Sequence, residues 1–121
     1  MLHSYRVSVN TPQYYRFLAK LQKTGEAEAV AIIKALPQEF RAKLKTLTPH
    51  FVDRPTEAMQ QRGTDRDQLS LVDREAGAVY VFLMNLHDLH GSQPGEFRGA
   101  LRQLILKEYS GFLGLDIDTS E

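Results

Sequence analysis

The longest apolar stretch of this sequence runs without interruption from residue 78 to residue 84: Ala78-Val79-Tyr80-Val81-Phe82-Leu83-Met84. The stretch is rich in β-branched and aromatic residues, so periodicity alone does not separate a buried strand from a buried helix. Upstream, Ser70 and Asp73 have the spacing of a capping box, which is typical of a helix start. We therefore predict a buried central helix over residues 73–90, with a buried strand over residues 78–84 as the alternative.

The N-terminal part of the chain has the pattern of an amphipathic helix. Thr11-Pro12 is a helix-start signal, because threonine accepts a free amide at the N-cap and proline is preorganised for the first turn. Apolar residues then recur at i, i+3, i+4 and i+7, which places them on one helical face: Tyr14, Phe17, Leu18 and Leu21. We expect this face to lie in the core.

Two further helices are predicted between residues 25 and 49. Thr24-Gly25 interrupts the apolar pattern, and glycine suits the left-handed residue that ends a helix, so a second, short helix is expected over residues 26–36. Pro37 is placed in the first turn of a third helix, which continues up to Thr48-Pro49. Its apolar residues keep a spacing near four: Leu36, Phe40, Leu44 and Leu47.

The rest of the chain divides into a connection and a last helix. Residues 48–68 contain prolines, a glycine and a polar cluster, which predict a long irregular connection with one helical turn between Pro55 and Arg62. Pro94 opens a helix that Gly111 is expected to end. Its apolar residues follow i, i+3, i+4, i+7 and i+8: Phe97, Ala100, Leu101, Leu104 and Ile105.

These elements together predict an all-α fold. We expect a compact bundle of four to five antiparallel helices, with the long irregular connection around residues 48–68. A chain of 121 residues has the size of one domain, so residues 1–121 are interpreted as a single helical domain. Residues 1–10 and 116–121 are expected to fray.

The composition predicts a folded, cytoplasmic protein. Apolar residues make up 42% and charged residues 25%, which is far from the signature of disorder. The absence of cysteine excludes disulfides, thiolate metal sites and cysteine nucleophiles. The N-terminus lacks the pattern of a signal peptide, and no stretch approaches the roughly 18 apolar residues of a membrane span, so neither export nor membrane insertion is expected.

Charge is distributed unevenly along the chain, although its net value is zero. Residues 1–50 hold eight basic and three acidic residues, whereas residues 51–121 hold seven basic and twelve acidic ones. Such asymmetry marks a surface for nucleic acid or an acidic partner, or it supplies complementary faces within one domain.

Basic residues of the N-terminal portion are candidates for phosphate contact. Arg16, Lys20 and Lys23 stand at i, i+4 and i+7, opposite the apolar stripe of the first helix. Tyr14 and Tyr15 could supply rings for base stacking. The alternative is an ordinary solvated helix face. The full set of candidate nucleic-acid-binding residues is Arg16, Lys20, Lys23, Lys34, Arg41, Lys43 and Lys45.

At the level of architecture, a helical bundle of this size with a basic portion resembles the small helical subunits of CRISPR effector assemblies. Those subunits line up along nucleic acid within a larger complex. The resemblance implies a nucleic-acid-associated subunit and supplies one form of the alternative function.

The densest cluster of possible metal ligands is His87-Asp88-Leu89-His90. Two imidazoles at i and i+3 on a helix, with a carboxylate beside them, are metal-ligand candidates for a metal-dependent enzyme. The alternative is favourable interaction of His87 and His90 with the negative end of a helix that Gly91 terminates. Three or four protein ligands are usual for zinc, so no metal is assigned.

No other catalytic or cofactor signature is present, and no catalytic residue or cofactor is assigned. Serine never occurs in a nucleophile-elbow sequence, and the glycines lack the spacing that cradles phosphates. We predict a non-catalytic accessory or regulatory subunit that binds another protein within a larger assembly or as a homo-oligomer. The candidate partner-binding residues lie beyond the last helix: Phe112, Leu113 and Leu115.

Overall fold

The computed structural model describes residues 11–114, which form five helices and a three-stranded sheet. The prediction of an all-α helical bundle is therefore wrong, because the fold is mixed α/β. The elements follow in this order: α1 (Pro12–Ala35), α2 (Gln38–Leu44), β1 (Thr48–Val52), α3 (Glu57–Gln61), β2 (Ser70–Asp73), β3 (Ala78–Phe82), α4 (Leu83–His90) and α5 (Pro94–Leu113).

Helix α1 begins where its sequence indicates and continues further than predicted. The Thr11 side chain accepts a hydrogen bond from the Tyr14 amide at 3.2 Å and caps the helix. The helix then passes through Gly25 without a break and ends at Ala35. A side chain at Gly25 would place its Cβ 2.6 Å from Cδ1 of Phe51. Glycine at this position therefore allows α1 to pack closely on β1, and does not end the helix.

The sheet has the strand order β1-β3-β2. Strand β1 pairs in parallel with β3, with Phe51 opposite Val81, and β2 pairs antiparallel with β3, with Leu71 opposite Tyr80. Gly77 adopts φ +64° in the turn before β3, and a Cβ there would lie 2.5 Å from the Thr46 carbonyl oxygen. The close approach of the two backbones at this turn therefore favours glycine.

The predicted helix over residues 73–90 is wrong in its first half, and the strand alternative is correct for most of the apolar run. Residues 78–82 form the central strand, and the chain turns directly into α4. Ala78, Val79, Val81 and Phe82 are all buried, so both faces of this strand are covered and alternation disappears. The connection predicted as irregular over 48–68 contains β1, which was not predicted, and α3, which confirms the helical turn predicted between Pro55 and Arg62.

One face of the sheet packs against the helices. Phe51, Val79 and Val81 join the helical residues in one core, whose largest helical members are Leu21, Ile32, Leu44, Leu83, Leu86, Phe97, Leu101, Ile105 and Tyr109. Ala78 and Phe82 point to the opposite face, since side chains alternate along a strand, and they are buried as well.

Helices α1 and α5 lie side by side and run in parallel, in contrast to the antiparallel neighbours that were predicted. Glu28 contacts Arg98 and Arg102, and Ile32 and Leu106 line one groove further along both helices. The architectural resemblance to the small helical subunits of CRISPR effector assemblies does not hold either, because it depended on an all-helical bundle.

Two predicted helix boundaries also shift. Pro37 is the N-cap of α2 and not part of its first turn, and α2 ends at Leu44. Helix α5 continues through Gly111 to Leu113, and Gly114 supplies the left-handed C-cap with φ +74°. None of the helices within residues 11–114 is long and apolar enough to cross a membrane.

Candidate interaction surface

The outer face of α1 carries four of the seven basic residues that the sequence singled out. Arg16, Lys20, Lys23 and Lys34 are exposed. Their spacing stays near multiples of 3.6 residues, so they form one row opposite the buried residues of α1, over about 27 Å of helix. The row is interrupted by an apolar segment between Lys23 and Lys34.

This apolar segment is exposed to solvent. Ala27, Val30, Ala31 and Ala35 are exposed, and we call them the α1 patch; Val30 is 51% exposed. The patch continues into a groove of about 290 Å³ between α1 and α5, which is lined by Ala31, Ile32, Ala35, Leu36, Arg102 and Leu106. An apolar surface is thus continuous from one helix to the next, and it is bordered by Lys23, Lys34 and Arg102 and by one acidic residue, Glu26.

A buried carboxylate holds two arginines beside this surface. Glu28 is only 5% exposed. Its Oε2 lies 3.3 Å from Nη2 of Arg98, and its Oε1 lies 3.2 Å from Nε of Arg102. The two arginine side chains remain 66% and 58% exposed, so their outer atoms stay hydrated while the carboxylate is neutralised. The cluster has one positive charge in excess.

The remaining three basic candidates belong to a different helix. Arg41 is half-buried and Lys43 exposed in α2, and Lys45 is the exposed C-cap of that helix. The extended backbone of Leu36, at φ −87° and ψ 152°, ends α1, so the row of basic residues on α1 does not continue into α2. The seven residues therefore do not form one continuous row.

The proposed metal ligands contact three different neighbours. The His87 ring lies edge-on to Phe17 with 4.9 Å between centroids. The Asp88 carboxylate accepts a hydrogen bond from Arg54 Nη1 at 2.9 Å. His90 Nδ1 lies 3.7 Å from Glu96 Oε2. Over residues 11–114, no three side chains of histidine, aspartate or glutamate lie close enough together to hold a metal ion.

Asn85 is a buried hydrogen-bonding residue whose role the sequence analysis did not predict. It is 6% exposed, and its Nδ2 donates to the carbonyl oxygens of Arg66 and Gln68, both at 2.8 Å. Its Oδ1 accepts from Arg54 Nη1 at 2.8 Å. The amide thereby holds the connection between α3 and β2 against α4. The sequence feature that could have identified this role is an asparagine directly after the longest apolar run.

The candidate partner residues at the end of α5 pack partly onto the protein itself. Phe112 and Leu113 are half-buried against the core. The Arg74 guanidinium lies 5.2 Å from the centroid of the Phe112 ring and donates to the Gly111 carbonyl oxygen at 2.9 Å. Leu115 lies outside the described residues. The exposed apolar surface of α1 is therefore a better candidate for docking than Phe112 and Leu113.

Comparison of the chain with family models, with curated proteins and with solved structures gives no match. The function must therefore be inferred from the chemistry of the surfaces themselves.

Proposed function

We propose that the protein is a non-catalytic accessory subunit that binds another protein through the outer face of α1. The observation that carries this proposal is the exposed α1 patch between Lys23 and Lys34. Alanines allow a second helix to approach closely, and Val30 offers a side chain for it to bury. The groove beside Leu36 and Leu106 extends the apolar area to α5.

The charges around the patch indicate the chemistry of the partner. Lys23 and Lys34 stand at its two ends, Glu26 is the single acidic residue among the described ones that line it, and Arg102 borders the groove on α5, so the surroundings carry an excess of positive charge. A complementary partner presents an amphipathic helix whose apolar stripe is flanked by aspartate or glutamate. A cytoplasmic location belongs to this proposal.

A nucleic-acid-associated function is the second candidate, and one observation favours it. Tyr15 is 54% exposed and Phe17 36% exposed, next to the basic side chains of Arg16 and Lys20. Exposed rings beside cations are the elements of single-strand binding, because bases stack on rings while phosphates meet the cations. In that case further phosphate contacts would come from Lys23, Lys34, Arg41, Lys43 and Lys45.

Site-specific photo-crosslinking tests the protein-binding proposal. A photoreactive amino acid replaces Val30 in the full chain expressed in its host, and the control carries it at Gln61, an exposed position of α3. We expect a protein adduct at position 30 that is missing at position 61. A synthetic peptide of the crosslinked segment should be an acidic amphipathic helix and should bind the purified chain.

The binding of that peptide provides the quantitative criterion. We expect Val30→Glu and Lys34→Glu each to weaken binding about tenfold or more, and Gln61→Glu to leave it unchanged. Equal binding by V30E, or a crosslinked segment without acidic helical character, would overturn the proposal. A nucleic-acid adduct would promote the second candidate, which a salt-dependent titration with oligonucleotides then measures.

A further inference from the structure

A second surface feature lies at the N-terminal half of α1, away from the α1 patch. Here α1 faces the end of α4 and the first turns of α5 across a cleft of about 330 Å³. This volume falls within the range of small-molecule sites. Residues far apart in sequence meet in it: Phe17, Lys20 and Leu21 from α1, His87 from α4, and Phe97 and Arg98 from α5.

Three rings form the wall of the cleft. His87 lies 4.9 Å from Phe17 at an interplanar angle of 82°, and 5.8 Å from Phe97 at 60°. Gly91 completes the wall, because a Cβ there would overlap the His87 imidazole. The aromatic wall therefore depends on the absence of a side chain at residue 91.

The polar rim of the cleft is cationic. Lys20 and Arg98 are exposed at its edge, and no aspartate or glutamate is among the described residues that line it. The buried Glu28 carboxylate orients the Arg98 guanidinium, since Nε and Nη2 of Arg98 lie 3.4 and 3.3 Å from its Oε2. The Nη1 side of the Arg98 guanidinium remains available to donate to phosphate oxygens.

We propose that this cleft binds a nucleoside phosphate, with the base against the partly exposed ring of Phe17 and the phosphate between Lys20 and Arg98. Flat rings and two cations in one cleft match a ligand that joins a flat base to an anion. The same chemistry is offered by a free nucleotide and by a nucleotide of a single strand. The site is independent of the protein partner proposed for the α1 patch, and it deepens the second candidate function, with which it shares Phe17 and Lys20.

Calorimetric titration of the full chain tests the site with three probes at low salt: adenosine monophosphate, adenosine and inorganic phosphate. We expect saturable binding of adenosine monophosphate, and binding at least about tenfold weaker for adenosine or phosphate alone. Lys20→Gln and Phe17→Ala should each weaken binding of the nucleotide by about tenfold. Lys23→Gln is the matched control, since Lys23 is an exposed lysine of the same helix that does not line the cleft.

A single-stranded oligoadenylate distinguishes the two sources of the ligand. Tighter binding of the strand than of the mononucleotide, still reduced by Phe17→Ala, identifies a strand as the source, whereas equal affinity per nucleotide identifies the free nucleotide. The proposal is overturned if neither adenosine monophosphate nor the oligoadenylate binds saturably. It is also overturned if Lys23→Gln weakens binding of the mononucleotide as much as Lys20→Gln, because that result describes attraction to the whole basic row. Circular dichroism melting confirms that the variants are folded.

Discussion

Glu28 and Asn85 are both almost completely buried, but they stabilise different kinds of structure. Glu28 is charged and joins two regular helices through guanidinium groups that stay in water. Asn85 is neutral and binds backbone carbonyl groups of a segment without regular structure. A charge can be buried here because two guanidinium groups pair with it, whereas an amide suits the backbone because it donates and accepts at once.

The largest expected effect comes from removing the partners of Glu28 while keeping its carboxylate. In the double variant Arg98→Ala/Arg102→Ala, the buried carboxylate loses both of its cations. We expect a loss of about 3–5 kcal/mol in the free energy of unfolding, measured by urea denaturation. Glu28→Met leaves two arginines that solvent can hydrate, so its stability should stay within about 1 kcal/mol of the natural chain.

The critical result is which of these two variants loses more free energy of unfolding. If Glu28→Met were as destabilising as the double arginine variant, the stability would come from attraction within the ion pairs, and not from avoiding an unpaired buried charge.

Asn85→Ala should have the next largest effect. It removes three hydrogen bonds and leaves two carbonyl groups without their donor, which we expect to cost about 2 kcal/mol. The effect should be local, so that trypsin cleaves after Arg62 and Arg66 faster than in the natural chain. Asp88→Ala is the control, because it removes only the exposed ion pair with Arg54 and should change stability by less than about 1 kcal/mol. Unchanged proteolysis in the Asn85 variant would contradict the assigned role.

Two tyrosines show the same contrast between satisfied and unsatisfied polar groups on a smaller scale. The Tyr14 hydroxyl donates to Asp53 Oδ2 at 2.9 Å, whereas the buried Tyr109 hydroxyl has no hydrogen-bond partner among the described residues. We expect Tyr14→Phe to lower the free energy of unfolding by about 1 kcal/mol and Tyr109→Phe to raise it by a similar amount. Urea denaturation at neutral pH measures both, and destabilisation by Tyr109→Phe would indicate a partner for its hydroxyl.

The raised pKa values of the same two tyrosines predict a loss of stability at alkaline pH. Burial raises the pKa of Tyr109 to about 12. Burial, together with the hydrogen bond to Asp53, raises the pKa of Tyr14 to about 12. An unfolded chain ionises its tyrosines near pH 10, so stability should fall as the pH rises from about 10 through 12. Each phenylalanine variant should show a shallower decrease, and an unchanged slope would contradict the assignment.

The helices could be predicted where one face meets solvent. The N-cap at Thr11 and the apolar spacing after it define the start of α1, and Pro94 marks the start of α5. The row of Arg16, Lys20 and Lys23 could also be predicted, because it depends only on the helical period. Gly25 was misinterpreted because its close contact with Phe51 comes from another element.

The cleft could not be found from the sequence. Phe17, His87 and Phe97 are brought together by the packing of three helices, and no local pattern relates their positions. The sequence predicts a cluster of His87, Asp88 and His90 only because these residues lie within four positions of each other. In the fold, their side chains turn to different neighbours.

The sequence by itself determined where the two long helices begin and which side of α1 meets water, because these depend on contacts within a few residues and on exposure of one side to solvent. Only the tertiary structure decided that residues 78–82 form a strand. That strand is paired with β1 and β2 on its two edges and covered on both faces, so its side chains carry no alternation. Its conformation depends on hydrogen-bond partners supplied by distant segments of the chain.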